Sequence, residues 1–408
     1  MRRIVITCRH PGPTWFIAEA IPTLTSKYEI YLLLSDTAIT FIVERYPSLL
    51  INERVQVFYL NKNIIEKINV KSFELSNDNI DGSIDTSLIL ESMIKFFKEI
   101  DFDIVIRTTP VTGIDVDEIL PTAVRNVGYS GPILGIQDYY GVGNILNDGE
   151  DDLLKYGVTH LATVDNLAVE IMKHRFSGPI RSTGWLAHDL FLRSDPLSMV
   201  RENIRSSLGI SQNQKVVFYA CSALQYESDF IGFEHVLTSL VELNLDVTFL
   251  YKVHPRMTHR EISKYADILN EFGKGLKVVP EDEFSDYLEY LAVSDLVIST
   301  ASMVNLDTLA YTTLQGSFND VPVSLYIEDD CIRQAILKAT GLLTLPTHLA
   351  GHGSLCTNLL DLKETINQGL VNTVLRENIL KEAAYYFKIK DPSAIRLLDY
   401  IEEIWGEF

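Results

Sequence analysis

The stretch SDLVISTASMVNLDTLAY, residues 294–311, decides how the chain is read. Leu296-Val297-Ile298 is a short apolar run without polar alternation, as in a strand buried on both faces. It stops at Ser299-Thr300-Ala301-Ser302, and a helix is expected over 303–312. Two uses compete for these hydroxyls. They are ordinary N-caps, with Asp307 complementing the helix dipole. Alternatively, they and the first free N–H groups hold a phosphate while Asp307, one turn in, accepts from a ribose hydroxyl.

The same order of parts recurs upstream. The strand DVTFLYK runs into Lys252-Val253-His254-Pro255-Arg256, two cations and an imidazole beside a proline. That set suits a phosphate or another acidic ligand group, or else forms a capped loop with solvated charges. Before it, KVVFYACS ends at Ser222, a further candidate phosphate contact ahead of the loop 223–230. The second half thus reads as strand 215–222, helix 231–243, strand 246–254, helix 258–272, strand 276–280, helix 283–293, strand 295–300 and helix 303–312. The pattern thins after 316, and 358–408 is mostly helical.

The first half alternates in the same way. Strands are expected at RRIVITC, YEIYLLLS, RVQVFYL, DIVIRTT, GPILGIQD and THLATV. Helices are expected near 14–26, 37–46, 87–99, 117–128 with Gly128 as its stop, and 164–175; residues 62–86 read as a loop excursion. Continuous apolar strands joined by helical crossovers make a parallel sheet covered on both faces. The fold class is therefore α/β: two Rossmann-like domains with a facing cleft, and a C-terminal helical tail. Residues 1–184 form the first domain, 185–357 the second and 358–408 the tail.

Ligands of open parallel sheets bind at the carboxyl ends of the strands, which selects the candidates in the first half. After the first strand come Cys8-Arg9-His10-Pro11-Gly12-Pro13-Thr14. Gly12 allows close backbone approach, the new helix offers N–H groups, and His10 has a ring suited to general-base work near neutral pH. The plain alternative is a surface turn whose prolines shape the start of the helix. Asp138 and Tyr139 end another strand and are candidates for an acceptor pocket. Arg9, Gly12 and Thr14 join them on the cleft side.

Composition limits the function classes. The 408 residues suit two or three domains, and 47% hydrophobic with 22% charged residues is ordinary for a globular chain. Net charge is −20, without the basic footprint of a nucleic-acid binder. No run approaches the roughly 18 apolar residues of a spanning helix, and the N-terminus lacks a signal-type core. The expectation is a soluble, cytoplasmic protein with no transmembrane segment. The four cysteines have no metal spacing and read as reduced, structural thiols. There is no HEXXH, no GxGxxG after the first strand and no GxxxxGK[ST], so no metal is expected, and NAD and P-loop chemistry are poorly supported.

The KVHPR strand end followed by SDLVISTASMVNLDTLAY resembles the nucleotide-binding domain of GT-B-fold enzymes: glycosyltransferases, UDP-sugar 2-epimerases and glycerophosphate-type polymer transferases. The resemblance implies that Lys252, His254 and Arg256 face the donor's phosphates, with Ser299, Thr300 and Ser302 nearby. Asp307 stands where that group usually has Glu, and Tyr311 to Gly316 stand where it has a Pro-containing strand. The first loop is similar to the GT-B loop in which a histidine activates the acceptor, with His10 at that position. STGWLAHDLF, 182–191, resembles the segment closing the first domain.

The function expected is that of a metal-independent glycosyltransferase. It would move a sugar or related group from a nucleotide-activated donor, UDP favoured, to an unidentified acceptor, with no bound cofactor. The alternatives are a UDP-sugar 2-epimerase or hydrolase, using carboxylates such as Glu19, Asp138 and Glu281, and a non-catalytic binding or assembly protein. Acceptor and oligomeric state are not specified by the residues.

Overall fold

A computed structural model describes residues 1–8, 11–35, 38–61, 64–68, 86–108, 116–137, 157–164, 166–173, 176–185, 189–193, 197–222, 226–254, 257–280, 284, 287–315, 321–334, 353–387 and 391–406. The chain divides into two compact units: unit 1 is Met1–Asp189 with Lys390–Phe408, and unit 2 is Leu190–Ile389.

Unit 1 contains β1 (Arg2–Cys8), α1 (Pro11–Leu24), β2 (Tyr28–Leu34), α2 (Ala38–Arg45), α3 (Pro47–Leu50), β3 (Val55–Asn61), β4 (Ile64–Lys67), α4 (Thr86–Glu99), β5 (Ile104–Thr108), α5 (Val116–Asn126), β6 (Ile133–Ile136), β7 (His160–Thr163), α6 (Asn166–Met172) and β8 (Ile180–Ser182). Its strands lie in the order β4-β3-β2-β1-β5-β6-β7-β8. All neighbours pair in parallel except β3 and β4, an antiparallel pair whose second strand lies inside the region expected to be a loop. β1, β2 and β5 are buried almost throughout, as continuous apolar strands between two helical layers must be. Val5, Val105, Met93, Phe97, Leu120 and Val124 pack together on one face, where α4 and α5 cover the sheet.

Unit 2 contains most of α7 (Asp189–Arg193), then α8 (Leu197–Ser207), β9 (Lys215–Ala220), α9 (Tyr226–Leu243), β10 (Val247–Lys252), α10 (His259–Phe272), β11 (Lys277–Val278), α11 (Tyr287–Val293), β12 (Leu296–Ser299), α12 (Val304–Gln315), β13 (Val323–Ile327), β14 (Ser354–Thr357), α13 (Leu362–Val371) and α14 (Thr373–Phe387). The sheet is parallel throughout, in the order β11-β10-β9-β12-β13-β14. The chain builds outward from β9 to β10 and β11, then restarts on the other side of β9 with β12. The order therefore reverses between β9 and β12. A buried ion cluster closes the opposite edge: Asp295, at the start of β12, accepts from Arg201 at 2.7 Å, Arg205 at 2.6 Å and the Val216 amide at 2.8 Å.

Several elements differ from the sequence reading. Pro11-Gly12-Pro13 is the first turn of α1 rather than a loop before it. The first amides of a helix have no acceptor inside it, so prolines there break no bond. Tyr311 to Gln315 continue α12, and the proline-preceded strand comes later, as β13. The stretch 358–408 is shared out: α13 and α14 belong to unit 2, while α15 (Ser393–Gly406) returns to unit 1. There Asp189 accepts from the Ser393 and Ala394 amides at 2.7 and 2.9 Å, capping α15 from far away in sequence. Tyr400 donates to the Pro179 carbonyl, and Arg2 lies 4.1 Å above the Trp405 ring.

Candidate nucleotide site of unit 2

The candidate site lies at the carboxyl edge of the unit 2 sheet, where the strand order reverses. β9, β10 and β12 are adjacent, so the segments that follow them emerge side by side. Ala220 pairs with Lys252 across β9 and β10, and the Cys221 amide donates to the Lys252 carbonyl at 3.1 Å, which carries the ladder one residue further. On the other side, Tyr219 pairs with Ile298 of β12. Ser222, Lys252, His254, Ser299, Thr300 and Ser302 are thereby brought to one edge by backbone geometry alone.

Their side chains differ in availability. Lys252 and His254 are half-buried. The Lys252 ammonium lies 5.3 Å from the Tyr290 ring centre of α11, a cation–π contact that steadies its stem. The His254 carbonyl accepts from the Met257 amide at 2.9 Å, just ahead of α10. Thr258 and Glu261 form a reciprocal capping box at the start of that helix. Ser299 is fully buried, and its hydroxyl accepts from the Ser302 amide at 3.0 Å. The half-buried Ser302 accepts from the Val304 amide at 3.3 Å, which closes the turn into α12. Asp307 sits in the first turn of α12, nearly buried, where a carboxylate complements the dipole. Asn305 donates to the Ser324 hydroxyl and the Leu325 carbonyl at 2.9 Å each, tying the start of α12 to β13.

The most connected group at this edge is one that the sequence reading passed over. Asp229, in the first turn of α9, is fully buried. Its carboxylate accepts from the Ser222 amide at 3.0 Å, from the Tyr219 hydroxyl at 3.0 Å, and from the Tyr265 and Thr300 hydroxyls. Burial outweighs these donors and pushes the Asp229 carboxyl up to about 6. Tyr219 and Tyr265 are pushed upward as well, first by burial and then by the charge of Asp229. The Thr300 hydroxyl and the Ser222 amide are thus engaged inside the protein, behind the turns they belong to. Gly232, one turn along α9, lets the helix lie this close: a Cβ there would stand 2.7 Å from Thr300 Cγ2 and 3.0 Å from Tyr219 Oη.

In unit 1, β1 and β5 flank the corresponding reversal. β1 ends at Cys8 and α1 begins at Pro11, with Gly12 in its first turn and Thr14 buried. Arg9, His10, Asp138, Tyr139, Arg256 and Glu281 lie outside the described residues. Glu19 is buried and accepts from the Tyr46 hydroxyl at 2.5 Å. Among the described residues no group of three or more His, Cys, Asp or Glu side chains could hold a metal ion, and no helix is long and apolar enough to cross a membrane.

No protein-family model and no curated protein sequence matches the chain. Solved structures match over its whole length. UDP-GlcNAc 2-epimerase from Neisseria meningitidis, bound to UDP-GlcNAc, superposes with a TM-score of 0.63 at 12% identity, covering 98% of this chain and 100% of that one. A glycosyltransferase from Rickettsia africae gives 0.60 at 11% identity, covering 100% and 98%. MnaA of S. aureus in a co-structure with UDP gives 0.62 at 11%, also covering 100% and 98%. The fold is that of GT-B-type enzymes, with two Rossmann-like units.

Proposed function

We propose that this protein is a nucleotide-sugar enzyme, a glycosyltransferase that binds the nucleotide diphosphate of its donor on unit 2. The observation that carries the reading is the convergence of Lys252, His254, Ser302 and the amino end of α12 at the sheet's point of reversal. Strand-end cations and the positive end of a helix dipole suit a diphosphate, the part of such a donor that gains charge as the glycosyl bond breaks. Groups fixed in advance around that charge lower the barrier because they need not reorganise. Arg256 joins them in this reading, and the carboxylate of Asp307 faces the ribose. His10 takes the proton from the acceptor hydroxyl, a contribution of roughly 10²–10⁴-fold. The uridine nucleotides held by the Neisseria and S. aureus proteins favour UDP as the carrier.

A thermal-shift series with UDP, CDP, GDP and TDP tests this. At about 100 times its dissociation constant the bound nucleotide stabilises the fold by roughly 2.7 kcal/mol. The shift should appear with one nucleotide and vanish in His254→Ala; no shift with any of them overturns the reading. Donor binding that survives in His10→Ala while turnover falls supports the base assignment, and an equal loss of both removes it. A UDP-sugar 2-epimerase shares the nucleotide half of this site. Incubation with UDP-GlcNAc and no acceptor separates the two, since only an epimerase changes the sugar under those conditions.

A further inference from the structure

The donor-site reading leaves one buried group without a task. Asp229 belongs to α9, yet its four donors come from elsewhere: the Tyr219 hydroxyl of β9, the Ser222 amide just after it, the Tyr265 hydroxyl of α10 and the Thr300 hydroxyl just after β12. Two of these donors, Ser222 and Thr300, stand on opposite sides of the sheet's reversal. A helix start needs no such arrangement, because a solvated cap serves it equally well. Burying a carboxylate is costly unless every lone pair is used, and here each oxygen receives two donors.

We propose that Asp229 is a positioning residue of the nucleotide site, fixing the turn after β9 and the turn after β12 at one spacing so that both meet the donor phosphates already in place. The proposal rests on the donor-site reading above. Asp229 acts through Ser222 and Thr300, and the Ser299–Ser302 turn that continues from Thr300 delivers the constraint to the start of α12. Gly232 and Thr300 share the same packed contact, so the turn after β12 is held from two sides.

Among the described residues, the titratable groups bonded to Asp229 are the phenols of Tyr219 and Tyr265, and the thiol of Cys221 interacts with both phenols. Anionic phosphates beside the two turns oppose ionisation of a carboxyl already raised by burial. Donor binding therefore draws a proton onto Asp229 near neutral pH. The test is titration calorimetry of the full chain with UDP-GlcNAc, in two buffers of different ionisation enthalpy, at about pH 6.5 where such a group is partly ionised. The parent protein should bind with net proton uptake. Asp229→Asn keeps an acceptor for the Ser222 amide and an amide for the hydroxyls, so it should bind within about threefold of the parent while losing the Asp229 share of that uptake. Asp229→Ala removes the tie and should weaken binding by about tenfold or more.

An Ala variant that folds and binds like the parent, or an Asn variant with unchanged proton uptake, overturns the proposal. A lower melting temperature with unaltered affinity assigns Asp229 to stability alone and also overturns it. These failures leave the donor site standing. Absence of nucleotide binding in the parent removes the donor-site reading and this proposal together.

Discussion

Asp229 also governs stability in a direction opposite to most carboxylates. Its native carboxyl titrates at about 6 against an ordinary 3.8, so the folded protein holds that proton more tightly than the unfolded chain does. Its contribution is full below the unfolded value and is lost as pH rises through the folded one. Between about pH 4 and pH 7.5 the parent forfeits up to about 3 kcal/mol from this group. Asp229→Asn carries no such titration. Its stability relative to the parent should improve by that order as pH rises, and urea midpoints at the two ends of the range check it. A constant difference contradicts the burial argument. None of this could be read from the residue string. Asp229 falls in the loop expected over 223–230, and its four partners are spread from Tyr219 to Thr300. Asp295 escaped notice for the same reason, since its partners Arg201 and Arg205 lie 94 and 90 residues away in sequence.

Helices and strands were recognised where their pattern is long. β1, β2, β5, β9, β10 and β12 all fall within the apolar runs that announced them. β4, β8, β13 and β14, of three to five residues each, were passed over because they lie outside the regular strand–helix alternation that announced the equally short β12. The strand-end rule selected Lys252, His254 and Ser302, which lie half-buried at this edge, because it needs only the order of elements. It could not distinguish a partly exposed side chain from one turned inward, as in Ser222, Thr300 and Ser299. α9 starts five residues before its expected first turn, and that extra length carries Asp229 into the sheet edge. Its Gly232 makes a prediction of its own. Alanine gains about 1 kcal/mol of helix propensity over glycine. The new methyl would nevertheless meet Thr300 Cγ2, whose β-branched side chain is held by its bond to Asp229. Overpacking of this kind costs about 1–3 kcal/mol, so it wins. Gly232→Ala should lower the melting temperature and weaken UDP binding, and a more stable variant with parental affinity refutes the tight contact.

The whole chain is organised by one discontinuity: unit 1 is left at Asp189 and rejoined at Lys390. A linear reading assigned 358–408 to a tail because helical periodicity carries no address, and only the contacts of α15 show which unit it completes. α15 buries Leu397, Ile401 and Ile404 and is capped by Asp189. Deleting residues 390–408 should therefore strip hydrogen-exchange protection from the β1, β2 and β8 region of unit 1 and leave β9, β10 and β12 protected. Equal loss in both units contradicts the division. Asp189→Ala should produce a milder form of the same pattern, costing about 1–3 kcal/mol for two buried amides left without their acceptor.

The same discontinuity sets an order of events during synthesis. A ribosome finishes the strands of unit 1 early but must then make all of Leu190–Ile389 before the closing helix α15 emerges. At about 5–20 residues per second that interval is on the order of 10–40 s. Unit 2, contiguous in the chain, has its complete sequence first, while α1 of the earlier-made unit waits without the helix that packs against it. The nascent protein is thus exposed to chaperones and to misassociation mainly through unit 1, and that exposure ends only once α15 has been made.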